Sequence, residues 1–297
     1  MPQTAKQKAC APPATFPPAV ASGLRPLAES DRDEVLDFLA AGSVDSIFMS
    51  GLVYDNGVSS PLNRGAFCAY RGEDGALEGV ALVGHATLVE TRTERALEAF
   101  ADFAKRCRTA HMIVGDEEKV ERFWRLYRDG GQEARRVCRE LFFVQRRAPD
   151  GEDVPGLRLA TFGDLPHVMR VNALMAEEES GVNPLAADAE GFRRRTLRRV
   201  EQGRVWVWVE AGRLMFKADV MAETPEFTYL EGVWVNPEDR RRGLGRRCLA
   251  QLGRTLLART RVLCLLVNEQ NKDAQAFFIS AGYKLRGCYD TVFLKKF

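Results

Sequence analysis

The segment from Thr228 to Arg246 constrains this chain more than any other, because it joins a strand pattern, a basic turn and the start of a helix. Its apolar first part predicts a buried strand, and helical spacing begins at Gly243 or Leu244. The first N–H groups of a helix have no partner within it, and the helix dipole favours negative charge there. Glycines at 243 and 245 let a ligand come close to the backbone. The segment therefore predicts a phosphate-binding turn.

Other phosphate-binding motifs are excluded by the residues of this turn. A P-loop ends in Gly-Lys-Ser/Thr, where this chain has Arg246 and Arg247. A dinucleotide-binding fingerprint requires a third glycine at position 248, which is Cys248. The alternative without a ligand is a basic helix start on a solvated turn.

The turn resembles the Arg/Gln-x-x-Gly-x-Gly/Ala signature of the GCN5-related N-acetyltransferases (GNAT), with Arg240, Gly243 and Gly245 in the fixed positions. A Val-x-Val-x-Pro strand from Val233 to Pro237 precedes it, as in that family. One departure is Arg241, which occupies a place where the family often has glycine. The resemblance implies an acetyl-CoA cofactor, no metal, and transfer of an acetyl group to an amine.

A second motif further along the chain supports the same resemblance. The segment that begins at Asn271 is similar to the family's Asn-x-x-Ala-x-x-Leu-Tyr-x-x-x-Gly-Phe, with Ala274, Gly282 and Tyr283 in register. Asn271 is also a candidate helix N-cap. The cofactor-binding residues that the two motifs imply are Val233, Trp234, Val235, Arg240, Arg241, Arg242, Gly243, Leu244, Gly245, Arg246, Asn271, Ala274 and Phe278.

Acetyl transfer also needs a proton donor for the departing thiolate, and here the chain departs from the family. The position that is usually Tyr is Phe278, which cannot donate a proton. Tyr283 is the candidate acid, with Tyr229 and Tyr289 as alternatives. Acid–base groups contribute ~10²–10⁴-fold, so this loss is expected to slow the reaction rather than abolish it.

Two acidic features are candidates for handling the amine. Glu231, just before Gly232 on the strand, is the candidate base, and Lys217 is a possible partner that would lower the pKa of its carboxyl. Glu178 and Glu179, in a predicted acidic loop before a Ser-Gly turn, are candidates for attracting the substrate. The alternative is that all these carboxylates are solvated or paired surface groups.

The chain divides into two similar halves. A Pro/Gly/Asp-rich segment at 149–156 is typical of a linker, and the spacing of Leu24, Asp31 and Val35 recurs in the residues after it. The predicted domains are a disordered tail at 1–22, a degenerate GNAT-like domain at 23–148 that lacks the glycine turn, the linker, and a GNAT domain at 157–297. Each is expected to be α/β (α+β), with a mixed, mostly antiparallel sheet flanked by helices. A polar loop is predicted at 51–64.

Composition excludes several classes of protein. Formal net charge is only +2, and seven scattered cysteines and three distant histidines make no disulfide framework or metal motif. Several of the cysteines lie within apolar runs, as reduced and buried thiols do, so a cytoplasmic protein is expected, and no window reaches the length of a membrane span. The arginines at 193–199 are a candidate nucleic-acid patch, but an apolar stripe and missing aromatics favour a solvated helix face.

The sequence therefore favours an acyl-CoA-dependent N-acetyltransferase that acts by direct transfer in a ternary complex. The acceptor is an amine, on a small molecule or on a protein or peptide, and no nucleic acid or membrane partner is expected. The alternative is a non-catalytic acyl-CoA-binding regulatory or interaction protein. Acceptor identity and oligomeric state do not follow from the sequence.

Overall fold

The computed structural model describes residues 23–42 and 46–295. The predicted tail at 1–22 lies outside the described residues. Within the described ranges, twelve strands form one sheet, and eight α-helices flank it. The sheet is mixed and mostly antiparallel, which confirms the predicted fold class.

The two halves of the chain supply the same series of elements. The first half consists of β1 (Leu24–Pro26), α1 (Arg32–Ala41), α2 (Ile47–Asn56), β2 (Gly65–Arg71), β3 (Leu77–Gly84), β4 (Ala86–Thr91), α3 (Glu94–Ala104), β5 (Met112–Asp116), α4 (Glu117–Arg128) and β6 (Ala134–Gln145). The second half consists of β7 (Leu157–Leu159), α5 (Leu165–Ser180), α6 (Pro184–Glu201), β8 (Val205–Glu210), β9 (Arg213–Glu223), β10 (Phe227–Val235), α7 (Leu244–Leu257), β11 (Val262–Asn268), α8 (Lys272–Ser280) and β12 (Lys284–Leu294).

The halves exchange their last strands. The strand order is β1-β2-β3-β4-β5-β12-β6-β11-β10-β9-β8-β7, so β12 pairs with β5 of the first half and β6 pairs with β11 of the second. Parallel pairing occurs at β4–β5 and at β10–β11, and the other pairs are antiparallel. Because β6 lies beside β11, residues of the first half reach the sheet face that carries the predicted site.

Helix α2 of the first half packs against β9 and β10 of the second half. Phe48 contacts Tyr229 and Tyr289 edge to face, with ring centroids 4.8 and 5.8 Å apart. Asp55 at the end of α2 forms an ion pair with Arg204, and their Oδ1 and Nη2 atoms are 2.6 Å apart. The two halves therefore share an aromatic cluster as well as a sheet.

The segment at 51–64 differs from its prediction. Residues 51–56 belong to α2, and only the remainder contains the turn and the short 3-10 helix Pro61–Asn63. The helix has apolar residues on all sides because it is buried between the halves, so it lacks the one-sided periodicity that marks a surface helix. Likewise α5 continues to Ser180, which places Glu178 and Glu179 in a helical last turn.

No helix in the described part of the chain has the length and apolar character that crossing a membrane requires.

Candidate functional site

The site lies where β10 and β11 separate. Their parallel pairing runs from Phe227 opposite Val262 to Leu230 opposite Leu265 and ends there, although β10 continues to Val235. Gly232 has φ +60°, and the pairing of β10 with β9 shifts register between Glu231 and Trp234. This bulge bends β10 away from β11 and opens a cleft between them.

Backbone groups at the far end of β10 face this cleft, and one of them, the Val235 carbonyl, accepts from Nε of Arg240. The N–H of Asn236 donates to the Met215 carbonyl on β9, at 2.9 Å. Backbone groups alternate in direction along a strand, so those of Val235 and Val233 face away from β9. The cleft therefore has, along one wall, main-chain groups that an extended amide-containing ligand can pair with.

The start of α7 lies at the mouth of the cleft. Gly243 is the residue before the helix, with φ +75° and no side-chain cap. Among the described residues, none accepts a hydrogen bond from the backbone N–H groups of 241–246, and the first N–H with an acceptor is that of Arg247, which donates to Gly243 O at 3.1 Å. A Cβ built at Gly243 would meet no atom within 4 Å. The turn thus presents consecutive backbone N–H groups without acceptors, an arrangement that can bind a phosphate group.

Gly245 has a different role from Gly243. A Cβ at Gly245 would lie 2.6 Å from Cγ2 of Val235 and 3.3 Å from the Phe277 ring. Its hydrogen side chain is required for α7 to pack closely on β10 and α8.

Asn271 caps α8, and its Oδ1 accepts from the Ala274 N–H at 3.0 Å.

The arginines of the turn divide into two groups. Arg240 donates from Nε to Val235 O at 3.2 Å, and Arg242 pairs with Asp239 at 3.2 Å. Arg241, Arg246 and Arg247 are exposed and make no ion pair with any described residue. Arg241 has φ +63°, the left-handed region that glycine adopts more readily. The unpaired guanidinium groups leave positive charge available for an anion.

Glu231 projects into the cleft from β10. Its side chain is accessible to solvent and makes no hydrogen bond or ion pair with any described residue. The recess around it raises the pKa of its carboxyl, chiefly by desolvation, while Arg199 and Lys217 act in the opposite direction and Asp219 adds to the rise. A carboxylate with a raised pKa in a cleft is a candidate general base.

Lys217 pairs with Asp219 rather than with Glu231. Its ammonium is 0% exposed, lies 2.9 Å from Asp219 Oδ1 and donates to Gly232 O at 3.0 Å. Asn172 on α5 donates to the other oxygen of Asp219 at 3.2 Å. Sequence reasoning missed Asp219 and Asn172, although a Lys and an Asp two residues apart on one face of an apolar strand are a recognisable signal.

Phe278 and Tyr283 lie in the core beneath α7 and α8. Their ring centroids are 5.7 Å apart, and Phe278 is almost fully buried. Tyr283 is 2% exposed, its hydroxyl finds no hydrogen-bond partner among the described residues, and desolvation raises its pKa. The Tyr283 hydroxyl therefore stays protonated, but protein atoms surround it.

Two further glutamates face the cleft from other elements. Glu179, at the end of α5, is exposed at the rim of the cleft, and its pKa is raised to about 8 by desolvation, then by the charges of Glu231 and Glu140, against Arg136. Glu140 on β6 has its pKa raised to about 7 by desolvation, although Thr291 donates a hydrogen bond to it at 3.0 Å. Glu178 is exposed, and its backbone carbonyl accepts from Arg136. Glu140 was missed because only the strand exchange brings β6 here.

A separate cavity of about 730 Å³ lies between α5 and α6. Exposed apolar residues line it, among them Phe162, Leu174 and Leu185. Neither the α7 turn nor Glu140, Glu179 or Glu231 contributes to this lining. No cluster of metal-ligating side chains occurs among the described residues.

Comparisons with known proteins agree with this geometry. A family model described as FR47-like protein matches residues 216–293, which include β10, the α7 turn and α8. A search of the curated proteins gives no match.

Several solved structures share the whole arrangement. A Drosophila protein has a TM-score of 0.68 at 16% identity, with 93% of this chain and 99% of that chain covered. A GCN5-related N-acetyltransferase from Sphaerobacter thermophilus has a TM-score of 0.57 at 15% identity, with 93% and 96% covered. A tandem GNAT protein from the clavulanic acid biosynthesis pathway has a TM-score of 0.57 at 15% identity, with 91% and 98% covered.

The chain therefore has the fold of the GCN5-related N-acetyltransferases, in tandem, which confirms the resemblance that the two motifs predict. Within that fold, the FR47-like match covers the half that carries the glycine turn.

Proposed function

We propose that the second half of the chain is an acyl-CoA-dependent N-acetyltransferase that transfers an acetyl group from acetyl-CoA directly to an amine within a ternary complex. The observation that carries the proposal is the row of unpaired N–H groups at 241–246, set at the mouth of the β10–β11 cleft. Such donors at a helix start bind a pyrophosphate. Arg241 and Arg246, which have no ion pair among the described residues, would neutralise its charge.

The remaining predicted cofactor residues fit an extended arm that enters the cleft. The backbone groups of Val233 and Val235 face the space where amide groups of pantetheine would pair, whereas those of Trp234 face β9. Asn271 and Ala274, at the start of α8, would close the other side, whereas Phe278 lies in the core behind them. Acetyl-CoA, when bound, supplies an electrophilic thioester carbon and a thiolate leaving group.

Glu231 is proposed as the base that takes a proton from the acceptor ammonium, directly or through water. Amines are protonated near neutral pH and attack only as the free base. A carboxyl whose pKa is raised is a better proton acceptor than an ordinary glutamate. Lys217 leaves Glu231 unpaired because its own ion pair is with Asp219.

The proton donor for the thiolate stays a prediction. Phe278 has no proton to give, and Tyr283 keeps its proton inside the core. Water that enters the cleft is a second source of the proton, because a thiolate is a modest base.

We further propose that the first half binds no acyl-CoA. Its counterpart of the glycine turn is a connection of two residues, Arg92 and Thr93, between β4 and α3. The Thr93 hydroxyl accepts from the Ala96 N–H at 3.3 Å and so occupies a donor that a phosphate would use. A packing role is supported by α2 and β6, which complete the second half.

Buried free thiols such as Cys68 and Cys264 fit a reducing, cytoplasmic location.

A second candidate function rests on Phe278. A protein that has lost the family's usual proton donor can keep acyl-CoA binding without turnover, as a regulatory or interaction protein. The two candidates differ in one measurable property, because only the enzyme consumes acetyl-CoA.

The test combines calorimetric titration of acetyl-CoA and CoA with thiol release against a panel of amines. Gly243→Asp puts a carboxylate where phosphate is expected, and Gly243→Asn is the matched neutral control, since both residues tolerate positive φ. We expect Gly243→Asp to weaken CoA binding by ~100-fold or more and Gly243→Asn by much less. Binding without thiol release selects the second candidate, and absence of binding to the wild type refutes both.

A further inference from the structure

Three glutamates and one tyrosine from both halves of the chain surround the inner end of the cleft. We infer that Glu140, Glu179 and Tyr229 form the acceptor pocket beside Glu231, and that the pocket takes a small amine with a second ammonium group, such as a diamine or polyamine. The inference rests on the proposed acetyltransferase function and adds its substrate class. One ammonium would lie at Glu231 for acetylation and the other at Glu140 and Glu179.

The strand register places these side chains on one face of the sheet. Tyr229 and Glu231 are two residues apart on β10 and so point to the same side. On β6, Glu140 shares the face of Phe142, which packs in the same apolar cluster as Tyr229. Strand β11 lies between them, with Leu266 opposite Phe142 and Asn268 opposite Glu140. Paired strands lie about 5 Å apart, and β10 leaves β11 beyond Leu230, so Glu231 and Glu140 lie on opposite sides of the gap that a diamine would span.

The last turn of α5 brings the third carboxylate to the same place. Cys138 on β6 has its Sγ 3.9 Å from the backbone carbonyl oxygen of Glu179, and Arg136 donates to the carbonyl of Glu178 at 3.2 Å. Cys138 and Glu140 lie on one face of β6. Glu179 is therefore held above Glu140 by contacts between a helix of the second half and a strand of the first.

Tyr229 provides a second observation that indicates a polar ligand in this pocket. It is 6% exposed, its ring packs on Phe48, and its hydroxyl makes no hydrogen bond with any described residue. Burial raises the pKa of this hydroxyl, and the charges of Glu231, Glu140 and Glu179 add to the rise. The ring is buried while the hydroxyl oxygen stays open to a ligand, and an amine of the acceptor would supply its hydrogen-bond partner.

The charge of the pocket is poorly compensated by the protein. No cation contributes to the pKa of Glu140, and Arg136 alone lowers that of Glu179. Arg199 and Lys217 act on Glu231 from the side of Asp219, with which both are associated. A dication would favour the deprotonated form of these carboxyls and pair with it, whereas a neutral or acidic acceptor offers them no cation.

The experiment compares 1,5-diaminopentane with pentylamine, which has the same carbon chain and one ammonium group. Each is titrated by calorimetry into the full-length protein saturated with CoA, and thiol release from acetyl-CoA is measured in parallel. The variants are Glu140→Gln, Glu179→Gln and Tyr229→Phe, with Glu210→Gln, an exposed carboxylate on β8, as the control.

We expect the wild type to bind the diamine at least about tenfold more tightly than the monoamine. Glu140→Gln and Glu179→Gln should each remove most of that preference while CoA affinity stays unchanged. Tyr229→Phe should weaken both amines, and the control should match the wild type. Equal affinity for the two amines in the wild type overturns the inference, and so does tighter binding of a dilysine peptide than of the diamine.

Failure of the inference and failure of the proposed function give different results. If the wild type binds CoA and the diamine but releases no thiol with any amine, the proposed enzymatic function is refuted and the assignment of the pocket is retained. Thiol release that is equal for monoamine and diamine, and indifferent to Glu140→Gln, refutes the pocket assignment and leaves the enzyme standing.

Discussion

Lys217 and Asp219 form an ion pair inside the sheet, with Nζ and Oδ1 2.9 Å apart, and the same ammonium donates to the carbonyl oxygen of Gly232. The pair therefore links β9 to the bulge of β10 that opens the cleft. Asn172 extends the link to α5 by donating to Asp219 at 3.2 Å. The shape of the candidate site depends on a charge pair that the solvent does not reach.

Replacement of Lys217 by Met should be strongly destabilising. The change leaves the Asp219 carboxylate buried without its cation, and breaking such a pair costs about 3–5 kcal/mol. The measurement is the free energy of unfolding in urea. The double variant Lys217→Met/Asp219→Leu removes both charges and is expected to recover a large part of the loss. If the single and double variants are equally destabilised, the pair does not contribute in this way.

Replacement of Glu231 by Gln should lower the rate of acetyl transfer by ~10²–10⁴-fold while CoA binding is unchanged. In the wild type, partial desolvation in the cleft raises the pKa of this carboxyl, and the base acts only when deprotonated. The rate should therefore rise with pH through a range above that of an ordinary glutamate. The pH profile of kcat/KM checks both expectations. Glu210→Gln is the control, and an unchanged rate in Glu231→Gln would argue against the role.

Replacement of Tyr283 by Phe should raise the melting temperature. The hydroxyl is buried without a partner among the described residues, and such a group costs about 1–3 kcal/mol. The measurement is thermal unfolding, with thiol release assayed on the same samples. A fall in kcat of ~10²-fold or more alongside normal CoA binding would identify Tyr283 as the proton donor. A lower melting temperature would show that the hydroxyl has a partner in solution.

The local parts of the site could be predicted from the sequence, and the assembled parts could not. The start of α7 at Leu244, its αL glycine and the Asn271 cap follow from short-range rules of helix termini. The placement of Glu140 depends on pairing between strands more than a hundred residues apart, because β6 enters the other half of the sheet. Periodicity within a segment contains no information about which distant strand it will pair with.

The same difference between local and assembled features explains why α2 was not predicted from the sequence. Its residues are apolar on every side because two halves of the protein cover it, so the pattern of a one-sided surface helix is absent. Gly51 in this helix favours a loop prediction from the sequence. In the structure, a Cβ at this position would lie 2.3 Å from Cβ of Ala222. The glycine serves close packing between the halves, and no local rule reveals that.

The stability of the protein should fall as pH rises from about 5 to about 9, in part because of Glu140 and Glu179. Their folded-state pKa values are raised to about 7 and about 8, above the value of 4.5 for an unperturbed glutamate. The unfolded chain therefore loses these protons first, and between the two pKa values the folded state binds more protons. The two carboxyls therefore contribute to the free energy of unfolding at low pH, and this contribution is lost as the pH rises through their folded-state pKa values.

Thermal unfolding across this range should show a smaller fall for Glu140→Gln and for Glu179→Gln than for the wild type, because glutamine does not titrate. Glu210→Gln, whose parent residue is exposed and outside the pocket, should follow the wild-type curve. A diamine should reduce the fall at high pH only in the wild type, since it neutralises the carboxylates that destabilise the fold there. Identical curves for wild type and variants would mean that Glu140 and Glu179 titrate normally and that the pocket does not concentrate negative charge.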